Sequence, residues 1–237
     1  MGVIKALDGN AAIAHGVMRS KVQLVAAYPI TPQTPIVETI SSLIDKKEYD
    51  ATYITVESEH SALSAVIGAA STGVRTFTAS ASHGLALMHE VTGVASASRL
   101  PVVMAVVSRA IPGPMCLWCD HSDIMTQRDQ GWIQLFAESP QEGLDFTMIA
   151  YRTSEDERVL TPTMVDIDGF YCSHLTEPVD VPTEDEAERF ISEFRPVNAQ
   201  LNTDMPYAID NLSSPAIFTE IKRSQDLGDA GRRRCAG

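Results

Sequence analysis

The stretch Val22-Gln23-Leu24-Val25-Ala26-Ala27-Tyr28-Pro29-Ile30-Thr31-Pro32-Gln33-Thr34-Pro35 passes from an apolar run into a proline-rich loop and then into a helical pattern. Val22–Ala27 has the length and content of a buried strand. Each proline fixes φ and removes a backbone donor, so the loop is stiff; the residues before the prolines, Tyr28, Thr31 and Thr34, are pushed toward extended conformations. Beyond it, Ile36, Ile40, Leu43 and Ile44 recur at helical spacing, opposite Lys46, Lys47 and Glu48. Strand, rigid loop and helix form the repeating unit of an α/β sheet, whose ligands bind at the carboxyl ends of strands. On that reading Thr31 is a hydroxyl held on a stiff frame at a binding edge. The plainer reading is a connector with Thr34 as N-cap and Pro35 at N1.

The same alternation extends outward. Gly9–Ser20 is Ala-rich and helical, with Asp8 or Asn10 as cap. Thr52–Val56 is β-branched and strand-like, and Glu57-Ser58-Glu59-His60 follows at once, with Leu63, Val66, Ile67 and Ala70 on a helical period. Thr76–Ser80 is a strand, and Ser82 is a candidate cap for a helix from Gly84 to about Ala97. Pro101–Val107 is the most continuous apolar run, as in a strand buried on both faces, and it ends in Ser108-Arg109-Ala110. A short helix at Asp123–Gln130, a strand at Trp132–Ala137, a helix at Gln141–Tyr151 and a strand at Met164–Ile167 complete the pattern. The expected fold is therefore α/β, a mostly parallel sheet flanked by helices. From Leu175 prolines punctuate the chain, and Thr183-Glu184-Asp185-Glu186 is a capping box opening a helix with Phe190, Ile191 and Phe194. This divides the chain into a domain over 1–175 and an extended arm or linker over 176–237, packing on a partner or a further domain.

Composition narrows the class. The 237 residues are 44% hydrophobic, enough for one substantial core, and carry a formal charge of −13. Such a surface repels nucleic acid and anionic membranes. No run of apolar residues is long enough to span a bilayer. The first eight residues are too polar for a signal peptide, and four cysteines without a leader suit a reducing cytoplasm.

Candidate chemistry falls at successive strand ends. Thr31 offers a hydroxyl, Glu59 a partly desolvated carboxylate for proton chemistry, the Ser80–His83 turn further polar groups, and Arg109 a fork for a carboxylate. Each also has a plain reading: Glu59 as a charge on a helix N-terminus, Arg109 as a surface ion pair. Phosphate-loop, dinucleotide, metalloprotease and nucleophile-elbow motifs are missing. Cys116-Leu117-Trp118-Cys119 is a lone C-x-x-C without a second ligand pair, and Asp120-His121-Ser122-Asp123 reads as a capping segment with Asp123 as N-cap, so no metal site is expected on this chain.

Taken together, Tyr28-Pro29-Ile30-Thr31-Pro32, Glu57-Ser58-Glu59-His60, Ser108-Arg109-Ala110 and Trp118-Cys119-Asp120-His121-Ser122-Asp123 resemble the alpha subunit of the 2-oxoacid:ferredoxin oxidoreductases, most closely the pyruvate branch, over about residues 5–195. The resemblance implies a thiamine-diphosphate-binding fold of the pyrimidine type. It implies that Glu59 bonds N1′ of the aminopyrimidine, with Tyr28 and Pro29 also beside the cofactor, that Thr31 contacts substrate, and that Arg109 binds the substrate carboxylate; Glu59, Thr31 and Arg109 are then the catalytic set. It further implies partners: a beta subunit sharing the thiamine diphosphate and carrying its Mg2+, gamma and delta subunits carrying Fe–S clusters, ferredoxin and coenzyme A. The expected reaction is oxidative decarboxylation of a 2-oxoacid to acyl-CoA and CO2. A neutral Thr at position 31 suits pyruvate over a dicarboxylate. Cys119 stands where the family pattern has Gly. Competing readings are a non-catalytic assembly module of such a complex, an oxidoreductase for another 2-oxoacid, and a thiol redox protein using Cys116 and Cys119.

Overall fold

A computed structural model describes residues 2–197, 201–204, 206, 208, 209 and 212–225. In chain order the elements are β1 (Val3–Leu7), α1 (Gly9–Arg19), β2 (Leu24–Ala27), α2 (Thr34–Asp45), β3 (Thr52–Thr55), α3 (Glu59–Ala70), β4 (Thr76–Ser80), α4 (Ser82–Ala97), β5 (Val103–Ser108), α5 (Ser122–Met125), β6 (Ile133–Ala137), α6 (Pro140–Ser154), β7 (Thr163–Asp168), β8 (Glu177–Val181) and α7 (Glu184–Ile191). Six strands form one fully parallel sheet in the order β3-β2-β4-β5-β7-β6. β7, expected to close the sheet, lies between β5 and β6, so β6 is the edge strand.

Strand alternation explains the two cores. On β5, Val103, Ala105 and Val107 join a cluster with Ile13 and Val17 of α1, Ile36 and Ile40 of α2, and Leu144 and Tyr151 of α6. Met104 and Val106 join the opposite cluster with Leu63 and Val66 of α3 and Leu85 and Met88 of α4. Successive side chains point to opposite faces, so a strand covered on both sides must be apolar throughout, and all six residues of β5 are buried. The same alternation on β4 sends Phe77 and Ala79 to the first cluster.

β1 and β8 escape the pattern reading. They form an antiparallel pair, Val3 opposite Val181 through Leu7 opposite Glu177. Neither strand looks like a core strand, because one face of each meets water: only Val179 and Val181 of β8 are buried. Within the segment expected to form an arm, residues 177–191 fold back onto this chain's own body. Val179, Val181, Ala187 and Ile191 join the first cluster, and α7 starts at the expected capping box of Thr183 and Glu186. At the amino-terminal side of the sheet, Arg75 clamps Glu155 with two short bonds (2.5 and 2.6 Å) and bonds the Ser20 carbonyl, joining the end of α1 and the start of β4 to the end of α6.

Candidate active site

The sheet order fixes what meets at the carboxyl edge. The chain leaves β2 for β3 on one side and returns to β4 on the other, so a crevice opens between the ends of β2 and β4. The ends succeed one another as Glu59 after β3, Thr31 after β2, Ser82 and His83 after β4, Arg109 after β5 and Asp168 at the end of β7.

The proline loop is fixed from three sides. The Thr31–Pro32 peptide is cis. Asn10 donates to the Pro32 carbonyl at 3.2 Å, and Gln33 and Thr34 donate their backbone N–H groups to the Ile30 carbonyl. The Gln33 side chain accepts the Ile30 N–H, so α2 begins at Thr34 with Gln33 at the cap, not Thr34 as expected. Pro32 also packs against Gly169: a Cβ there would lie 2.9 Å from the proline ring and 2.3 Å from the Ser108 carbonyl. Thr31, Tyr28 and Pro29 are left exposed on the rim.

Arg109 and Thr31 are brought into direct contact. Arg109 Nη1 donates to the Thr31 carbonyl at 2.6 Å, and Nη2 lies 2.9 Å from His83 Nδ1. The guanidinium is almost wholly enclosed, and its Nε–H has no partner. Burial pulls its pKa below the usual arginine value, and the Asp123 carboxylate opposes that. Arginine still stays cationic, so Arg109 is a fixed positive charge with unused donors.

Glu59 opens α3, where Ser58 caps the helix by accepting the Ser61 N–H. Its carboxylate lies against Gly84. A Cβ on that glycine would stand 2.5 Å from Glu59 Oε1 and 2.8 Å from Ser80 Oγ. The buried Ser80 hydroxyl has no hydrogen-bond partner. The absent Cβ lets the Glu59 carboxylate close on Gly84 beside an unpaired hydroxyl, a polar pair whose chemistry fits the aminopyrimidine of thiamine diphosphate.

Asp123 is the residue the sequence misassigned. It does not cap α5; His121 does, in a left-handed conformation (φ 57°). Fully buried, Asp123 accepts the backbone N–H groups of Ser82 (2.7 Å) and Arg109 (2.9 Å) on one oxygen, and the Ser108 hydroxyl (2.9 Å) on the other. Those donors face inward, and a carboxylate satisfies several at once. Ser82 likewise is not a cap: at φ 51° it donates its hydroxyl to the Ala110 carbonyl. Non-glycine residues in this region cost of order 1–3 kcal/mol each and cluster where a fold holds a site under constraint.

Asp166 of β7 continues the network. Its carboxyl is 2.5 Å from Ser108 Oγ on one oxygen and 2.9 Å from His121 Nδ1 on the other. Burial pushes its pKa up to about 7. A hydroxyl has one proton, so with Ser108 donating to Asp123, a protonated Asp166 supplies the hydrogen for the second contact. His121 Nε2 lies 3.1 Å from Asp168 Oδ1, and the Cys119 thiol donates to the same oxygen at 3.4 Å. Asp166 and Asp168 carry no motif, so only the sheet order could reveal them. Cys116 is exposed and Cys172 is a buried thiol; Cys235 lies outside the described residues.

Comparison with known proteins places the chain in one family. The family described as pyruvate flavodoxin/ferredoxin oxidoreductase, thiamine diphosphate-binding, matches residues 15–227. The chain is 46% identical to pyruvate synthase subunit PorA of Pyrococcus furiosus over 222 residues, 94% of this chain and 56% of that protein. It is 47% identical to the PorA subunit of Thermotoga maritima over 220 residues (93% and 56%), and 43% identical to ketoisovalerate oxidoreductase subunit VorA of Pyrococcus furiosus over 218 residues (92% and 55%). The chain thus spans about half the length of the curated relatives it matches. A solved structure of 2-oxoglutarate:ferredoxin oxidoreductase from Magnetococcus marinus superposes with a TM-score of 0.76 at 21% identity, covering 96% of this chain and 44% of that one, which shows the shared fold.

Proposed function

The chain belongs to the pyruvate flavodoxin/ferredoxin oxidoreductase family, as a thiamine-diphosphate-binding domain, and on that premise we propose that it is the part of a cytoplasmic 2-oxoacid:ferredoxin oxidoreductase that holds the aminopyrimidine end of the cofactor and the substrate carboxylate. The substrate is pyruvate, oxidised to acetyl-CoA and CO2 with electrons passing to ferredoxin. The observation that carries this is the pair of contacts across the crevice between β2 and β4, Glu59 packed on Gly84 beside Ser80 and Thr31 bonded to Arg109.

The chemistry that bound thiamine diphosphate supplies is attack on a 2-oxo carbon and storage of the electron pair left by departing CO2. Glu59 holds a proton at the aminopyrimidine N1′, which a carboxylate does best when partly desolvated. Ser80 offers its unpaired hydroxyl to the same ring, and Tyr28 and Pro29 line its approach. Arg109 receives the substrate carboxylate: two of its five N–H groups are engaged by Thr31 and His83, and its enclosed Nε–H has no partner. Thr31 sits beside it, nearest the 2-oxo group. Partner chains complete the site: a beta subunit with the diphosphate and Mg2+, and gamma and delta subunits with Fe–S clusters. The exposed Met115, Trp118, Met125, Phe136 and Tyr171, all close in sequence to the carboxyl ends of β5, β6 and β7, suit coverage by such a chain.

The 43% identity to a ketoisovalerate oxidoreductase subunit favours a second reading, the same chemistry on a branched 2-oxoacid. Reconstitution with the partner chains decides both. A viologen acceptor and a panel of 2-oxoacids should give reduction that requires thiamine diphosphate and coenzyme A and is fastest with pyruvate. Fastest turnover with 2-oxoisovalerate would select the second reading. Undiminished turnover with Arg109→Ala would reduce the chain to an assembly module.

A further inference from the structure

The loop after Arg109 and the end of β7 place three metal-ligand types together outside the Glu59 cradle. Cys119 Sγ, a His121 nitrogen and an Asp168 carboxylate oxygen all lie within 4.8 Å of one another. We propose that Cys119, His121 and Asp168 form a binding site for a single borderline divalent cation, Zn2+ by its ligand chemistry, which fastens the loop after Arg109 to the end of β7.

The donor set is thiolate, imidazole and carboxylate, which Zn2+ accepts in tetrahedral coordination with a fourth position for water. Metal–ligand bonds of about 2.0–2.3 Å place tetrahedral ligand atoms roughly 3.3–3.8 Å apart. The contacts of 3.1 Å from His121 Nε2 to Asp168 and 3.4 Å from Cys119 Sγ to Asp168 need only small adjustments to reach that spacing. His121 Nδ1 is 2.9 Å from Asp166 Oδ2 without a hydrogen bond to it, so a small turn of the ring would let that carboxyl orient it, as metal-binding histidines are oriented.

Cys119 would release its proton to solvent as its thiolate binds the dication, and the ion would offset the negative charge of thiolate and carboxylate. Cys119 stands where the related sequence pattern has glycine. Bound metal would tether the loop through His121, Asp166 and Ser108 to Asp123 and the Arg109 backbone.

The test is titration of the whole reduced chain, stripped with chelator, with Zn2+ and with Co2+ as a spectroscopic probe. The expected result is one ion per chain retained through desalting, a higher melting temperature, and a thiolate-to-cobalt charge-transfer band. Cys119→Ser should abolish the band and weaken binding at least about tenfold, Cys116→Ser should leave both intact, and Asp166→Asn should keep the band while weakening binding about 10–100-fold. Absence of saturable binding overturns the proposal, as does an unchanged band in Cys119→Ser or its loss in Cys116→Ser. Should Cys119→Ser fail to fold, Asp168→Asn takes its place, and unchanged affinity there is equally fatal.

Discussion

Asp123 Oδ2 lies 2.9 Å from the backbone nitrogen of Arg109 and accepts its N–H, so the residue that positions the guanidinium is a carboxylate fourteen positions further along the chain. The same oxygen takes the Ser82 N–H at 2.7 Å. One buried side chain therefore sets the exits of both β4 and β5, and with them the spacing of His83 and Arg109.

Replacing Asp123 with Asn turns one acceptor oxygen into a donor aimed at groups that are themselves donors. Breaking a fully buried charged network costs about 3 kcal/mol or more. Chemical denaturation should show that loss, and the assembled enzyme should show a raised KM for the 2-oxoacid. A variant of unchanged midpoint would mean that Asp123 organises nothing.

Glu59→Gln keeps the side chain's volume and removes its charge. Activity of the assembled enzyme should fall about 100-fold or more, the usual range for a lost proton-transfer group. The unfolding free energy should move by less than about 2 kcal/mol, the upper range for a buried charge on the first turn of a helix. Steady-state rates beside denaturation curves separate the two.

Gly84→Ala places a methyl 2.5 Å from Glu59 Oε1 and 2.8 Å from Ser80 Oγ. The Glu59 carboxylate must move, and activity should fall along with thiamine diphosphate affinity. Gly68→Ala is the matched control. It sits in the same layer on α3 with nothing within 4 Å of the new methyl, and should stabilise the chain by about 0.5–1 kcal/mol.

Arg109→Lys retains the positive charge and loses the fork that spans Thr31 and His83. A KM for the 2-oxoacid raised at least about tenfold, with a smaller change in kcat, is the expected split. Equal losses in both would point to a general distortion of the loop.

His15 is buried on α1, and burial, with Lys5 and Arg19 nearby, lowers its pKa to about 4. The folded state keeps it neutral where the unfolded state takes a proton. The associated stability is fully present above about pH 6.5 and is lost as pH falls from there toward 4. The stability advantage of the native chain over His15→Gln should therefore shrink by about 2 kcal/mol between pH 7 and pH 5. Denaturation midpoints at those two pH values test it; an advantage independent of pH would place the protonation of His15 outside the folding balance.

The central strand Val103–Ser108 was legible because a parallel strand covered on both faces must be largely apolar. Helix starts were legible where the cap is local, as at Asp8 and Thr183. β1 and β8 were not, since each is half solvated and finds its partner some 170 residues away, so no nearby signal marks either. Asp123 was misread for a similar reason. Its position beside a short helix suggests a cap, and only the arrival of the Ser82 and Arg109 N–H groups from two other strand ends gives it its role.

The sequence by itself determined that this is an α/β protein with Thr31, Glu59 and Arg109 each just past a strand end. Period, proline and capping signals act over a few residues and need no knowledge of the rest. Tertiary structure alone decided which ends are neighbours. The order β3-β2-β4-β5-β7-β6 puts Thr31 against Arg109, lays Glu59 beside Gly84 and Ser80, and brings Asp166 and Asp168 up to His121. Strand order follows from burying both faces of the sheet at once, a condition on the whole chain that no local stretch can express.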